Sequence, residues 1–467
     1  MLDGSRVARR ALGLVLVGCF ILSCAPAQAS LEGAALPLPA STTPSFRLSP
    51  SVAPTLLPSP SPPLPGLPRA APVVWAGGEG SLTAFGPEGW QTFEFSGLVR
   101  DIAIDRDGNA ILAPGLRICN GRLLRDLLPR APGGEQDAVA IDPSGRIWVG
   151  YYGGIAVLDG AQWSQVPLPG DGSTRAKTVR DLAIDGHGVV WVATAQGLAS
   201  FDGQGWQQYS ERAGPGGSAI VQLSIDRDGN LWVAHDKGLS VLRGKVWQHF
   251  PVEAVGLVRQ VAAGAGGAIA ISSPDRGLLV YNGRQWRPPE GLAPGPTGAA
   301  ITALAVDGAG RMYAGTGEGL YVADGARWLA YREANSGLAD DHVSALAVAP
   351  QGAATLPAPG PTRYGNLAGQ VTLRRRPVAG ARVVLCSNLL LGQSFRDTPC
   401  EGASEGRVTR TGVDGRYLFE QVPLGHYAVA AEVEPGRWVT PVRVLSAMHY
   451  RVREGQTVVA DTIEGGE

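Results

Sequence analysis

The sequence predicts an all-β protein: a seven-bladed β-propeller followed by a small C-terminal β-sandwich. Three observations predict it. A turn glycine recurs at Gly108, Gly145, Gly188, Gly229, Gly267, Gly310 and Gly352, in steps of 37, 43, 41, 38, 43 and 42 residues. Tryptophans fall at two fixed places within that repeat. Beyond the repeat, the alternation of apolar and polar residues continues but the motif changes. Periods of about 40 residues, filled by short strands between Gly, Asp and Asn turns, are what propeller blades produce.

The elements follow in order. Arg6, Arg9 and Arg10 precede the apolar run "ALGLVLVGCFILS", which reads as an export signal too short to stay as a membrane helix. It ends at "ILSC", so residues 1–24 are expected to be a lipoprotein-type signal with Cys24 as the acylated residue. Cys19, in "LVGC", is the alternative, and ordinary cleavage within "APAQAS" would instead give a soluble secreted protein. Residues 25–72 are rich in Pro, Ser and Ala and read as an extended spacer.

Residues 73–353 carry the repeat. Its best-spelled copies are "AVAIDPSGRIWVGYYGGIAVLDGAQW", "DLAIDGHGVVWVATAQGLASFDGQGW" and "QLSIDRDGNLWVAHDKGLSVLRGKVW", each readable as four strands. Trp75, Trp148, Trp191, Trp232 and Tyr313 share the second-strand position. Trp90, Trp163, Trp206, Trp247, Trp286 and Trp328 share the fourth. Large flat rings at fixed places suit packing between blades better than sugar gripping. The stretch from Val73 lacks a first strand and "VSALAVAPQG" from Val343 has only a first strand, so the two are expected to pair, closing the ring and removing its open sheet edges.

The string "DRDGN" at Asp105 and Asp226 invites a calcium reading through Asp105/Asp107 or Asp226/Asp228. Other copies carry "DPSG", "DGHG" and "DGAG", so the second acid is not part of the repeat. A tight turn explains the first Asp and the Gly without metal, and hard cations want six or more oxygens. His187, His235 and His249 share no spacing and are read as lying in a turn, in a loop and beside a strand, which argues against a metal or catalytic site. A formal charge of -1 offers no basic surface for nucleic acid.

The strings "YREANSGLADDHVSALAVAPQG", "FDGQGWQQYS" and "GRIWVGYYGGIAVLDG" resemble the two-component-regulator propeller repeats, the extracytoplasmic sensor blades of bacterial hybrid kinases, over Val73 to about Gly352. The resemblance implies an extracytoplasmic binding propeller. The chain departs from those receptors in that another small domain follows the repeat, so direct signalling is not expected. Streptogramin-lyase propellers share the architecture, but no convergent His and Glu set supports their catalysis here. If the first strand is innermost, as in similar propellers, its starting residues ring one mouth of the channel: Arg100, Asp101, Asp137, Arg180, Asp181, Gln222, Arg259, Gln260 and His342. This rim is the candidate binding site for a polar or carbohydrate ligand or a partner loop. An internally paired, solvated rim is the plain alternative.

Residues 354–363 form a second Pro/Gly linker. In residues 364–467, "PVAGARVVL" and "TGVDGRYLFEQVPLGHY" resemble the carboxypeptidase-regulatory-like, prealbumin-like sandwich. Relatives that carry lysine-derived crosslinks are no guide, because this segment contains no lysine. Cys386 and Cys400 can form a disulfide in an oxidising compartment, closing a loop of about 15 residues worth roughly 3 kcal/mol. Cys119 is expected to be a buried blade thiol. The expectation is a monomeric, exported, lipid-anchored binding or scaffolding protein without cofactor or metal. Its only membrane contact would be the anchor. An enzyme with its site in the channel mouth is the alternative.

Overall fold

The computed structural model describes residues 74–86, 89–127, 134–169, 178–194, 197–292, 295–296, 301–349, 357–386, 400, 407–443, 446–447 and 449–465. The expected signal, Cys19, Cys24, the proline-rich spacer and Gly352 lie outside the described residues.

Among those residues, seven four-stranded antiparallel sheets follow one another. Their inner strands are Asp101–Ile104, Gln136–Ile141, Val179–Ile184, Ile220–Ile225, Gln260–Ala263, Ala303–Val306 and Ala345–Val348. Each inner strand touches the next, and the last returns to the first, so the sheets are blades of a closed ring. The closing blade is built from both ends of the array. Ala345–Val348 pairs antiparallel with Val74–Gly77 in the register Val74↔Val348 and Gly77↔Ala345. The closing blade therefore has its full four strands, and neither end of the array is left without a sheet.

The apolar core lies between blades. One cluster joins Trp148, Val157 and Val192 across the second and third blades, and another joins Trp232, Phe250 and Ile271 across the fourth and fifth. The second-strand aromatics Trp75, Trp148, Trp191, Trp232 and Tyr313 are all buried, Trp191 the least at 8% exposure. The fourth-strand tryptophans are only half-buried. Close approach sets residue size at one repeated place: a Cβ on Gly77 would sit 2.6 Å from Val99, and one on Gly315 would sit 2.7 Å from Val343. Cys119 is a buried free thiol, which its surroundings push up to about 12.

The turn after each inner strand is a hydrogen-bonded device. In the first blade, Asp105 Oδ1 accepts from the N–H groups of Asp107 and Asn109, while Asp105 Oδ2 accepts from Asn109 Nδ2. Asp142, Asp185, Asp226 and Asp307 repeat the two backbone contacts. The glycine three residues on has positive φ, 87° at Gly108 and 80° at Gly229, a region that a side chain would strain. Second-strand aromatics donate to the same carboxylates: Trp148 Nε1 to Asp142 at 3.0 Å, Trp232 Nε1 to Asp226 at 2.9 Å, and Tyr313 OH to Asp307 at 3.1 Å. The Asp105 and Asp226 oxygens of the calcium reading thus accept from N–H donors.

The C-terminal region is a two-sheet sandwich. Tyr364–Leu373 pairs antiparallel with Arg416–Pro423 and in parallel with Thr457–Val459 and Ile463–Gly465. Arg382–Cys386 and Gly425–Glu434 centre the second sheet. Alternation along "RYLFEQVP", interrupted by an irregularity at Gln421, sends Tyr417, Phe419 and Val422 inward against Val383, Leu385 and Val429. Cys386 and Cys400 are disulfide-bonded, with Cα atoms 5.3 Å apart.

Sandwich and propeller meet at the connector leading into the closing strand. Arg451 donates to Glu333 at 3.0 Å, to Glu94 at 2.9 Å and to the carbonyl of Ala339 at 3.0 Å. Arg363 donates to the carbonyls of Glu333 and Ser336. His426 lies 3.7 Å from Asp340.

Candidate functional site

Counted back from the turn, the inner strands place two columns of side chains at one mouth of the channel. Four residues before the turn position stand Asp101, Ala138, Asp181, Gln222, Gln260, Ala303 and Ala345. One residue further back stand Arg100, Asp137, Arg180, Val221, Arg259, Thr302 and Ser344. All of them but Ala138 line a cavity of ≈ 180 Å³, whose lining includes eight of the nine residues expected on the rim.

His342 is the exception. It lies two residues before Ser344, outside the cavity lining, and its N–H donates to Asp340 Oδ1 at 2.9 Å in the connector. The reason is register: Val343 aligns with Val99, Val179 and Val258, so Ser344 takes the place held by Arg100, Arg180 and Arg259. Thr302 and Ser344, which sequence reasoning missed, were findable by aligning that valine. Asp137 reaches the rim in the arginine column, not beside Asp101.

Both columns also tie neighbouring blades together. Asp101 Oδ2 accepts from Val139 N–H at 2.8 Å, Asp181 Oδ2 from Leu223 N–H at 2.6 Å, and Gln222 Oε1 from Val261 N–H at 2.7 Å. The other oxygens of Asp101 and Asp181 accept from Ile102 and Leu182 N–H. In the outer column, Thr302 Oγ1 donates to the Val343 carbonyl and Ser344 Oγ to those of Val99 and Gly77. Arg100 pairs with Asp137 and Glu135. Arg180 makes one long 3.4 Å bond to the Ile220 carbonyl, and Arg259 has no ion pair among the described residues.

Electrostatics follow from burial. Asp101 is pushed up to about 6 by desolvation, against the two backbone N–H bonds that oppose it. Asp181 is held well above the usual carboxylate range by desolvation first and by the Asp101 charge second. Three arginines therefore share the mouth with three carboxylates, two of which burial shifts towards the neutral form.

Two other places gather polar groups. The larger cavity, ≈ 280 Å³, lies against Trp90, Tyr331, Pro357, Pro361 and Arg363. Its polar groups are already used, with Tyr331 OH donating to the Pro357 carbonyl and Arg363 bonded as above, so it is a packing seam of the linker. His235 ends a strand and is buried, rather than lying in a loop, and His249 is within a strand. Ser240 Oγ stands 2.8 Å from His235 Nε2 and 2.9 Å from His249 Nδ1, a convergence that no sequence spacing signals. Ser240 is fully buried and bonds the Pro215 carbonyl, so this trio pins a loop. Desolvation pulls His235 down to about 4.

Neither a protein-family model nor a curated protein matches the chain. Solved structures show a distant likeness to it. The bacterial surface component PorZ of the type-IX secretion system of Porphyromonas gingivalis is 14% identical, with 82% of this chain covering 64% of that one at a TM-score of 0.43. Virginiamycin B lyase from Staphylococcus aureus is 13% identical over 50% of this chain and 84% of that one, TM-score 0.40. The extracellular domain of a candidate hybrid two-component system from B. thetaiotaomicron is 14% identical over 84% and 56%, TM-score 0.31. The chain thus spans less than two thirds of the PorZ chain. The all-β propeller architecture rests on the chain's own seven four-stranded sheets and the closed ring of their inner strands.

Proposed function

We propose that the chain is an exported, lipid-anchored binding protein without catalysis, which captures a ligand or partner at the cell envelope through the channel mouth. The observation that carries it is the departure of the mouth from the repeat. The turn end of the blades repeats an Asp and a Gly, whereas the mouth end varies from blade to blade and gathers arginines around an open cavity. Export and anchoring rest on the basic and apolar N-terminal run and "ILSC" around Cys24. The extracytoplasmic setting also suits the Cys386–Cys400 disulfide.

Two experiments test this. Cells expressing wild type and Cys24→Ala are fractionated, with intact mass taken on the N-terminus. An acylated, membrane-bound wild type and a soluble variant are expected, and a soluble wild type beginning at Gln28 or Ser30 removes the anchor. A thermal-shift screen of envelope small molecules is run on wild type and Arg259→Glu. Ligands that stabilise only the wild type support the mouth, and ligands indifferent to the variant place capture elsewhere.

An enzyme is the second reading, because the raised carboxyls of Asp101 and Asp181 are the kind of group a lyase or hydrolase needs in the mouth. Against it, all four of their oxygens are engaged by backbone N–H groups, the cavity lining includes no histidine among the described residues, and its two hydroxyls, Thr302 and Ser344, donate to backbone carbonyls. Turnover of any ligand from that screen, lost in Asp101→Asn, would establish it.

A further inference from the structure

The mouth can be read for ligand chemistry by asking which of its polar groups are already spent. Most of the acceptors are. Both oxygens of Asp101 and of Asp181 receive backbone N–H groups, and Asp137 Oδ1 is held by Arg100. The hydroxyls of Thr302 and Ser344 donate to carbonyls of the next blade. What stays uncommitted is mainly a set of donors. Among the described residues Arg259 has no ion pair, and Arg180 gives only one long bond from one nitrogen. The Gln222 amide uses only its oxygen, and the Gln260 side chain makes no hydrogen bond among the described residues, which leaves its NH2 and its oxygen both open.

A guanidinium fork carries five N–H donors and no acceptor, and it matches a carboxylate with two parallel bonds. A neutral sugar presents hydroxyls that need acceptors as much as donors, and this cavity has few acceptors to offer. Its ≈ 180 Å³ also fits a compact molecule rather than a folded loop. Resting on the reading of the mouth as a binding site, we infer that the ligand is a small carboxylate, seated on Arg180 and Arg259 with the Gln222 and Gln260 amides as supporting donors. Val221, between the two arginines in blade order, offers an apolar step for a short carbon chain.

The test is calorimetric titration of the full chain with succinate, glutarate and tricarballylate, alongside the uncharged analogue succinamide and a neutral oligosaccharide. Arg259→Gln and the Arg180→Gln/Arg259→Gln pair serve as variants. Both arginines are exposed, so folding is expected to survive, and a melting curve verifies it. The expected result is one site for at least one carboxylate and none for succinamide. A charge-assisted hydrogen bond is worth about 1.5–3 kcal/mol, so Arg259→Gln should weaken binding roughly 10-fold or more.

Carboxylate binding that is unchanged in the paired variant overturns the inference, and so does failure of all three carboxylates. If the oligosaccharide or succinamide binds and the paired variant abolishes it, the mouth stands as a site but its ligand is not a carboxylate. If carboxylates fail and ligands found in the thermal-shift screen are indifferent to Arg259→Glu, the site itself falls as well.

Discussion

The inner strands of the first and third blades carry an aspartate at each end, four residues apart, and the two ends behave differently. Asp105 and Asp185 stand at the turn; Asp101 and Asp181 stand at the mouth. Each of the four accepts two backbone N–H groups. At the turn the acceptor serves its own blade, and the repeat supplies it with further donors. At Asp142, burial pushes the carboxyl up, but donation from Ser144, Trp148 and Arg146 outweighs it and leaves the group below the usual range. At the mouth the acceptor also reaches into the next blade, its neighbours are another carboxylate and a low-dielectric channel, and desolvation wins. Two backbone hydrogen bonds therefore do not by themselves set a carboxyl's acidity. What decides is the surrounding charge and solvent, and the turn end is built for folding while the mouth end keeps its donors free.

The largest expected effect tests the turn end. Asp226→Ala removes acceptors from two backbone N–H groups, from Asn230 and from the buried Trp232 indole, and should cost about 2–4 kcal/mol in urea unfolding. A loss under about 1 kcal/mol would break the claim that the turn aspartates hold the blades. The converse gain is smaller. In the closing blade Ala349 occupies the turn position, and Trp75 Nε1 is buried without a partner. Ala349→Asp should supply one and raise stability by about 1 kcal/mol, read as a higher melting temperature.

At the mouth, Asp101→Asn should cost about 1 kcal/mol, since its amide nitrogen cannot accept the backbone N–H that one carboxylate oxygen takes, and should also alter the pH dependence. The folded value of about 6 lies above the unfolded one, so folding favours the protonated form. That stabilisation is complete below the unfolded value, near 4, and is lost as pH rises through about 6. Asp181 acts in the same direction, and Arg100, Arg180, Arg259 and Asp137 are the other charged groups lining the cavity. Denaturant midpoints measured from pH 4 to 7 should fall less steeply in the variant than in wild type. The smallest effect is Arg259→Gln, expected within about 0.5 kcal/mol of wild type, since an exposed side chain without an ion pair holds nothing together.

The difference between the two ends also governs what can be read without coordinates. The turn end is legible because it recurs: Asp, Gly and the second-strand aromatic return in copy after copy, and their joint hydrogen bonding explains the recurrence. The location of the mouth is legible too, since it depends only on where each inner strand begins. Its membership is less so. Thr302 and Ser344 carry no charge to draw notice, and His342 drew it although the valine register puts it outside. Contacts made by sheet register or by docking leave no local mark. His235, Ser240 and His249 meet because adjacent strands align them, and Arg451 and Glu94 meet across 357 positions.

The closing pair has a mechanical consequence. Val74 faces Val348, so the outgoing chain ends of the two strands leave the ring side by side. A pull applied at those ends peels the ladder one bond at a time, where a staggered geometry would load all of its bonds together. The ring's buckle is thus its easiest point to open by force. Arg451 shields it: the sandwich grips the outer strand through Glu94 and the connector through Glu333 and Ala339. Tension arriving through the C-terminal region is carried by that grip first, and reaches the buckle only after the grip has let go.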